Sequence, residues 1–270
     1  MRIFLAGLRK MIGRPASFVS VGLLVGLLGL IVLASATVGQ ESETPQGQAA
    51  VRALLTFPGA YDFVLSFLFG LGGLVAVIYG AAIAGSEWTW GTLKNAVARG
   101  ESRARYMLST FAAIALMIAI GLAISFALGV LLALLGATIA GVSTSGISDA
   151  DHLARLPAMA ARGWFAVVEQ AALGFAIATL ARSQLAGIGA GIAFYFGEGF
   201  ASIFLPDIIQ YMPFAVARAS IETGGSDGGF GGGAEVVALP ADTALLLVGA
   251  WLVGSLLLTV LFTERAEITG

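Results

Sequence analysis

Apolar residues in this chain come in long blocks rather than in short alternating runs. Six windows of about 20 residues or more, poor in charge and bounded by polar residues, run roughly over 16–38, 60–84, 105–136, 160–181, 184–205 and 242–263. At ~1.5 Å rise per residue, a helix of that length crosses a hydrocarbon core ~30 Å thick. The pattern predicts an all-α membrane protein with six transmembrane helices. The third window is long enough to tilt or to project from the bilayer.

Ahead of the first window, Ile3, Phe4, Leu8 and Met11 recur at helical spacing with Arg2, Arg9 and Lys10 between them. Residues 1–15 therefore read as an amphipathic helix on the membrane surface, though a simple basic anchor fits the same residues. Residues 16–270 then form one polytopic domain. Ala34-Ser35-Ala36 imitates a signal-peptide cleavage site. The apolar run before it, about 23 residues, exceeds the 7 to 15 of a signal sequence, so it reads as a retained first span.

Composition agrees with the pattern. Of 270 residues 58% are hydrophobic and 11% charged, against ~25% charged in soluble domains. Most of the 37 glycines fall inside apolar runs, where small residues let membrane helices approach closely. Gly22-x-x-x-Gly26 and Gly187-x-x-x-Gly191 suit such packing. A net charge of −2 leaves no basic face for nucleic acid. With no cysteine and one histidine, thiol chemistry, Fe–S clusters and HExxH zinc sites are excluded.

Charge also predicts orientation. An even number of spans puts both termini on one side, with Arg2, Arg9, Lys10, Arg14, Lys94, Arg99, Arg103, Arg105, Arg182 and Arg265, against Arg52, Arg155, Arg162 and Arg218 on the other. By the positive-inside rule both ends are cytoplasmic, in a multi-pass protein of the plasma membrane. The opposite loops hold little chemistry. The segment 205–219 reads as an interfacial or re-entrant helix, 224–233 as a flexible glycine-rich loop and His152 as a solvated loop residue, with Asp149 and Asp151 a weak candidate for an outer cation site.

Two features carry candidate function. The loop after the second span, Gly85 to Gly100, predicts a short helix over about 86–99, with Ser86 as N-cap, Glu87 in the first turn and Gly100 as stop. On it Trp90, Leu93 and Val97 share one face and Glu87, Gly91 and Lys94 the other. An interfacial helix held by its tryptophans and a partner-docking helix both fit. The second feature is Glu169 and Glu198, carboxyls inside the fourth and fifth spans, where an ionised side chain costs on the order of 3 kcal/mol or more. Counted from the outer ends of their spans, each lies about 10 Å deep. They read either as a polar substrate path or charge-sensing pair, or as two separate carboxyls that hold helices together.

Glu87-x-x-x-Gly91-Thr92-Leu93-Lys94, followed by Arg99-Gly100-x-x-Arg103-x-Arg105, resembles the E-x-x-x-G-T-L-[KR] signature after the second helix of ABC-2 type transporter permeases. The N-terminal helix, the six spans, the large loop between spans five and six, and the tail from Phe262 to Ile268 are similar to the same family. The resemblance implies a type V exporter-like fold in which this segment is the coupling helix, docking on a cytoplasmic ATP-binding subunit. It implies a partner-binding set of Glu87, Trp88, Trp90, Gly91, Thr92, Leu93 and Lys94, with Glu87 as the polar contact, Gly91 permitting close backbone approach, Leu93 packing and Lys94 at the rim. It also implies a second permease chain, identical or related, with spans one and five near the dimer axis and spans one, two and five bordering the path.

No Walker A pattern occurs, and the two lysines, Lys10 and Lys94, lack its context. This chain is therefore expected to be no enzyme and to hold no cofactor, with ATP and Mg bound by the partner. Hydrophobic or amphipathic cargo, such as a peptide antibiotic, a drug or a lipid, suits a path with few charges. The alternative is a proton- or ion-coupled secondary transporter using Glu169 and Glu198. An intramembrane enzyme is disfavoured, since neither a Ser–His pairing in membrane context nor an Asp-rich motif is present.

Overall fold

The computed structural model describes residues 2–41, 53–221 and 239–266. The glycine-rich segment 224–233 and the end of the C-terminal tail lie outside the described residues. Among those described there are helices and no strands: α1 (Arg2–Ile12), α2 (Pro15–Glu41), α3 (Gly59–Thr89), α4 (Thr92–Ala98), α5 (Arg103–Ile139), α6 (Ala150–Ala181), α7 (Gln184–Ala201), α8 (Pro206–Ile209), α9 (Pro213–Ser220) and α10 (Ala241–Arg265). Five of them, α2, α3, α5, α6 and α10, are long and apolar enough to cross a membrane.

The sixth expected span forms α7, which has 18 residues and ends four short of Leu205. Its ~27 Å falls below a full hydrocarbon core, and Gln184 and Glu198 dilute its apolar character. Beyond it the segment expected as one interfacial helix is two, each opened by a proline in its first turn. The second, α9, lies against the bundle. It packs against α6 and α10, with Phe214, Val216 and Ala217 buried.

Other boundaries shift for identifiable reasons. α6 begins at Ala150, ten residues before the predicted 160, because Asp149 caps it by accepting from the His152 N–H at 2.8 Å. Glu169 is consequently much farther from the start of its helix than the sequence implied. The helix predicted over 86–99 is also redrawn. Ser86 is not a cap, since α3 runs on to Thr89 and the Ser86 hydroxyl donates back to the Ile83 carbonyl at 2.7 Å. The break falls at Gly91, whose φ of 63° lies in the left-handed region that side chains avoid, and α4 begins after it.

Packing sorts the helices into centre and periphery. In the most apolar window of α6, 72% of residues are buried, against 17% in α10, so α6 is a core helix and α10 a lipid-facing one. α3 and α6 run side by side with almost no space between their backbones. A Cβ on Gly80 would strike the Ala171 carbonyl, and one on Gly174 the Val77 carbonyl. α7 closes on the same pair through Gly187 against Ala178 and Gly191 against Val77. The other expected motif does not pack within the chain, as nothing lies within 4 Å of a Cβ at Gly22 or Gly26.

This contact predicts a stability asymmetry. Gly174→Leu, which must push α3 and α6 apart, is expected to cost at least about 2 kcal/mol, whereas Gly22→Ala leaves stability within about 0.5 kcal/mol. Unfolding of the two purified variants in the same detergent measures the difference.

Candidate functional site

The end of the bundle that carries α1 and the last turn of α10 is organised around one carboxylate. Glu87, in the last turn of α3, is 1% exposed. Lys10 from α1 donates to its Oε1 at 2.6 Å, and the Tyr106 hydroxyl from α5 donates to Oε2 at 2.6 Å. The Thr92 hydroxyl at the start of α4 donates to the same Oε2. One side chain thus ties four helices together. Charge-assisted bonds of this kind are roughly twice as strong as neutral ones, and the burial that strengthens them makes any lost partner expensive.

Three arginines complete the bracket. Arg14 donates to Ser86 Oγ at 3.1 Å and stands over the Trp90 ring at 4.8 Å. Arg182, in the left-handed turn after α6 with φ 51°, stands over the rings of Trp88 and Phe262 at 5.3 and 5.2 Å. Arg103 donates to the carbonyls of Thr263, Glu264 and Ala266 at 3.1, 3.2 and 2.6 Å. In return the Glu264 carboxylate accepts from the Ala104 N–H at 3.1 Å. The C-terminus of α10 thus receives a cation and the N-terminus of α5 an anion, as their unsatisfied backbone groups favour.

The predicted site residues separate into two sets. Glu87 and Leu93 face inward, and Trp88 packs edge-on against Phe262. Thr92 is spent on Glu87 and Gly91 makes the turn. Trp90 is 60% exposed, and Lys94, Asn95, Ala98 and Arg99 form an outward surface with it. The faces expected from a single helix do not exist, because the turn at Gly91 takes Glu87 and Trp90 out of register with α4. Lys10, Arg14, Tyr106 and Arg182 escaped the sequence reading. Lys10 and Glu87 are 77 residues apart, and no local spacing links them.

The intramembrane carboxyls also differ from each other. Glu198 on α7 accepts from the backbone N–H of Phe214 at 3.2 Å and from that of Ala215. Arg218 Nη2 lies 4.0 Å from the same carboxylate. Glu198 therefore holds the N-terminus of α9, satisfying two of the groups that every helix start leaves unpaired. Glu169 on α6 is fully buried and neither oxygen has a hydrogen-bond partner. The two carboxyls lie within electrostatic reach of each other.

At the opposite end of the bundle His152 is not a free loop residue. Its ring stacks on Tyr61 at 5.6 Å and its Nε2 lies 3.4 Å from Asp62 Oδ1. Asp149 is spent as the cap of α6, so the Asp149–Asp151 cation site is not assembled. Between α3, α5 and α6 an apolar cleft of about 390 Å³ is lined by Leu65, Leu68, Phe69, Phe126 and Trp164, among others.

Apolar helices of membrane-crossing length, close packing through glycine and a charged bracket at one end define a polytopic all-helical membrane protein. A family model described as protein of unknown function (DUF2705) matches residues 52–263. The chain belongs to the DUF2705 family. No curated protein matches it.

The Glu87 bracket predicts strong energetic coupling. Lys10→Met alone leaves a buried carboxylate without its cation and is expected to cost about 3 to 5 kcal/mol. Adding Glu87→Gln removes the stranded charge while keeping an acceptor for Tyr106, so the double variant recovers at least about 1 kcal/mol. A double-mutant cycle on unfolding of the purified protein reads the coupling directly.

Proposed function

We propose that this chain is the membrane-spanning permease subunit of an ATP-binding cassette transporter of the ABC-2 type. In this reading it exports a hydrophobic or amphipathic substrate, with ATP and Mg bound by a separate cytoplasmic subunit and a second permease chain completing the transporter. The observation that carries the reading is the outward-facing tip formed by Trp90, Lys94, Asn95 and Arg99, braced from beneath by Glu87 through Thr92. A segment that converts motion of a partner into motion of helices needs both properties. The bracket joins the tip to α1, α3 and α5, so a push on α4 reaches three helices without an intervening flexible joint. The sequence resemblance falls on the same segment and supports the same conclusion.

The roles implied by the resemblance are redistributed. Glu87 acts from inside, as the residue that stiffens the coupling segment, and the contact to the ATPase passes to Trp90, Lys94 and Arg99. Gly91 supplies the turn that presents them. A mixed aromatic and basic tip suits a cleft on a soluble partner, since Trp and Arg are the anchors most enriched at protein interfaces.

Co-purification tests the reading. The tagged chain, extracted from its native host in mild detergent, is expected to carry an ATPase in stoichiometric amount. Trp90→Asp combined with Arg99→Glu, both at exposed positions, should abolish that association while leaving the helix bundle intact. Wild type emerging alone under conditions that preserve known transporter complexes overturns the proposal.

The same reading places both termini, and hence the bracket, on the cytoplasmic side of the plasma membrane. The chain contains no cysteine, so single introduced thiols report topology without background. A membrane-impermeant reagent added to intact cells should label Ser145→Cys at once and Asn95→Cys only after permeabilisation. The opposite order reverses the orientation.

A further inference from the structure

Among the described residues, Glu169 is the buried acid whose environment supplies nothing to hold a negative charge. Both of its oxygens lack a donor, and the residue has no exposure. It lies 12 residues from the end of α6 at Ala181, ~18 Å along the axis, inside the apolar layer rather than at its edge. Glu87 and Glu198, buried to a similar degree, are each met by donors.

The neighbours of α6 offer no remedy. The ionisable groups on the helices packed against it are Tyr61, Asp62, Tyr79 and Glu87 on α3, Arg103, Arg105 and Tyr106 on α5, Tyr195 and Glu198 on α7, Arg218 on α9, and Asp242, Glu264 and Arg265 on α10. Most sit at helix ends. Of the others, Tyr79 is bonded to Ser17 at 2.9 Å, the Tyr195 hydroxyl donates to the Gly70 carbonyl at 3.3 Å, and Arg218 stands beside Glu198. What reaches Glu169 is a second acid, Glu198. With both carboxyls ionised, the cluster of Glu169, Glu198 and Arg218 carries one uncompensated negative charge inside a low-dielectric bundle, which the protein must neutralise. One bound proton brings the cluster to zero.

We infer that Glu169 is a proton-binding site within the helix bundle, with Glu198 as the ionised member of the pair. The division follows from the hydrogen bonds. Backbone N–H groups of Phe214 and Ala215 favour a charged acceptor at Glu198, while Glu169, with no donor, loses least by holding the proton. The site also has a mechanical consequence. Loss of the proton from the Glu169 O–H and gain of one at the Glu198 carboxylate would leave the total charge unchanged. The gain would turn the acceptor that holds the N-terminus of α9 from a carboxylate into a weaker neutral acid. Proton position is thereby linked to the hold on α9. The inference rests on the bundle interior alone and does not depend on an ATPase partner.

Infrared spectroscopy of the full-length purified protein tests it. At pH 7 the wild type should show the C=O band of a protonated carboxyl, retained in Glu198→Gln and lost in Glu169→Gln. A band that persists in Glu169→Gln, or a wild type without any such band, overturns the assignment. Adding NaCl or KCl at constant pH should leave the band in place; its loss on addition would give the site to an alkali cation instead of a proton. Should Glu169→Gln fail to assemble, Glu198→Gln labelled with 13C-glutamate decides. An isotope-shifted carboxyl band in that variant supports the site, and its absence refutes it.

Discussion

The structure depends on a carboxylate that has been taken out of water and then fully paired. Glu87 stands at the point where the long helix α3 must stop, the short helix α4 must start and the N-terminal helix must be held to the bundle. A buried acid stays ionised only when its lone pairs are met. Meeting them requires Lys10, Tyr106 and Thr92 to arrive from three other elements. The electrostatic demand of one side chain thereby dictates the relative placement of α1, α3, α4 and α5. Hydrophobic burial cannot impose such a constraint, since it is non-directional, and within lipid it provides little drive to bring helices together.

Away from that end, close packing takes over. Gly80 and Gly174 let α3 and α6 meet backbone to backbone, and Gly187 and Gly191 bring in α7. Contact at this distance gains dispersion energy that bulkier residues forfeit by holding the helices apart. The result is a stiff central trio surrounded by α2, α5 and α10, which present long apolar faces outward. Rigidity in the centre and directional pairing at the end are complementary.

Polar groups inside the apolar layer divide along the same line. Glu198 is held by donors and fixes the start of α9; Glu169 has none. Their shared residue type hides this difference, because the energy of a buried carboxyl is set by what surrounds it. Arg182 and Arg103 make the same point at the termini's end. Both are surface cations by composition, yet one bridges two aromatic rings and the other closes the C-terminus of α10.

Much of this architecture was legible along the chain. The apolar blocks located α2, α3, α5, α6 and α10 to within a few residues at most ends, because length and continuous apolarity are what a bilayer demands. Glu169 and Glu198 stood out as residue types that a membrane segment does not retain without compensation, and Glu87 and Gly91 as members of the short helix expected after the second span. Their roles were not legible. Gly91 proved to be a break in the helix rather than one of its faces, a distinction made by a positive φ that no residue pattern records. The fate of Glu87 depended on Lys10, 77 residues away. Sequence by itself determined which segments are apolar enough to leave water, because that is a sum over local residues. Only the tertiary structure decided which buried charges are paired and which glycines touch, because pairing and contact arise between segments distant in the chain.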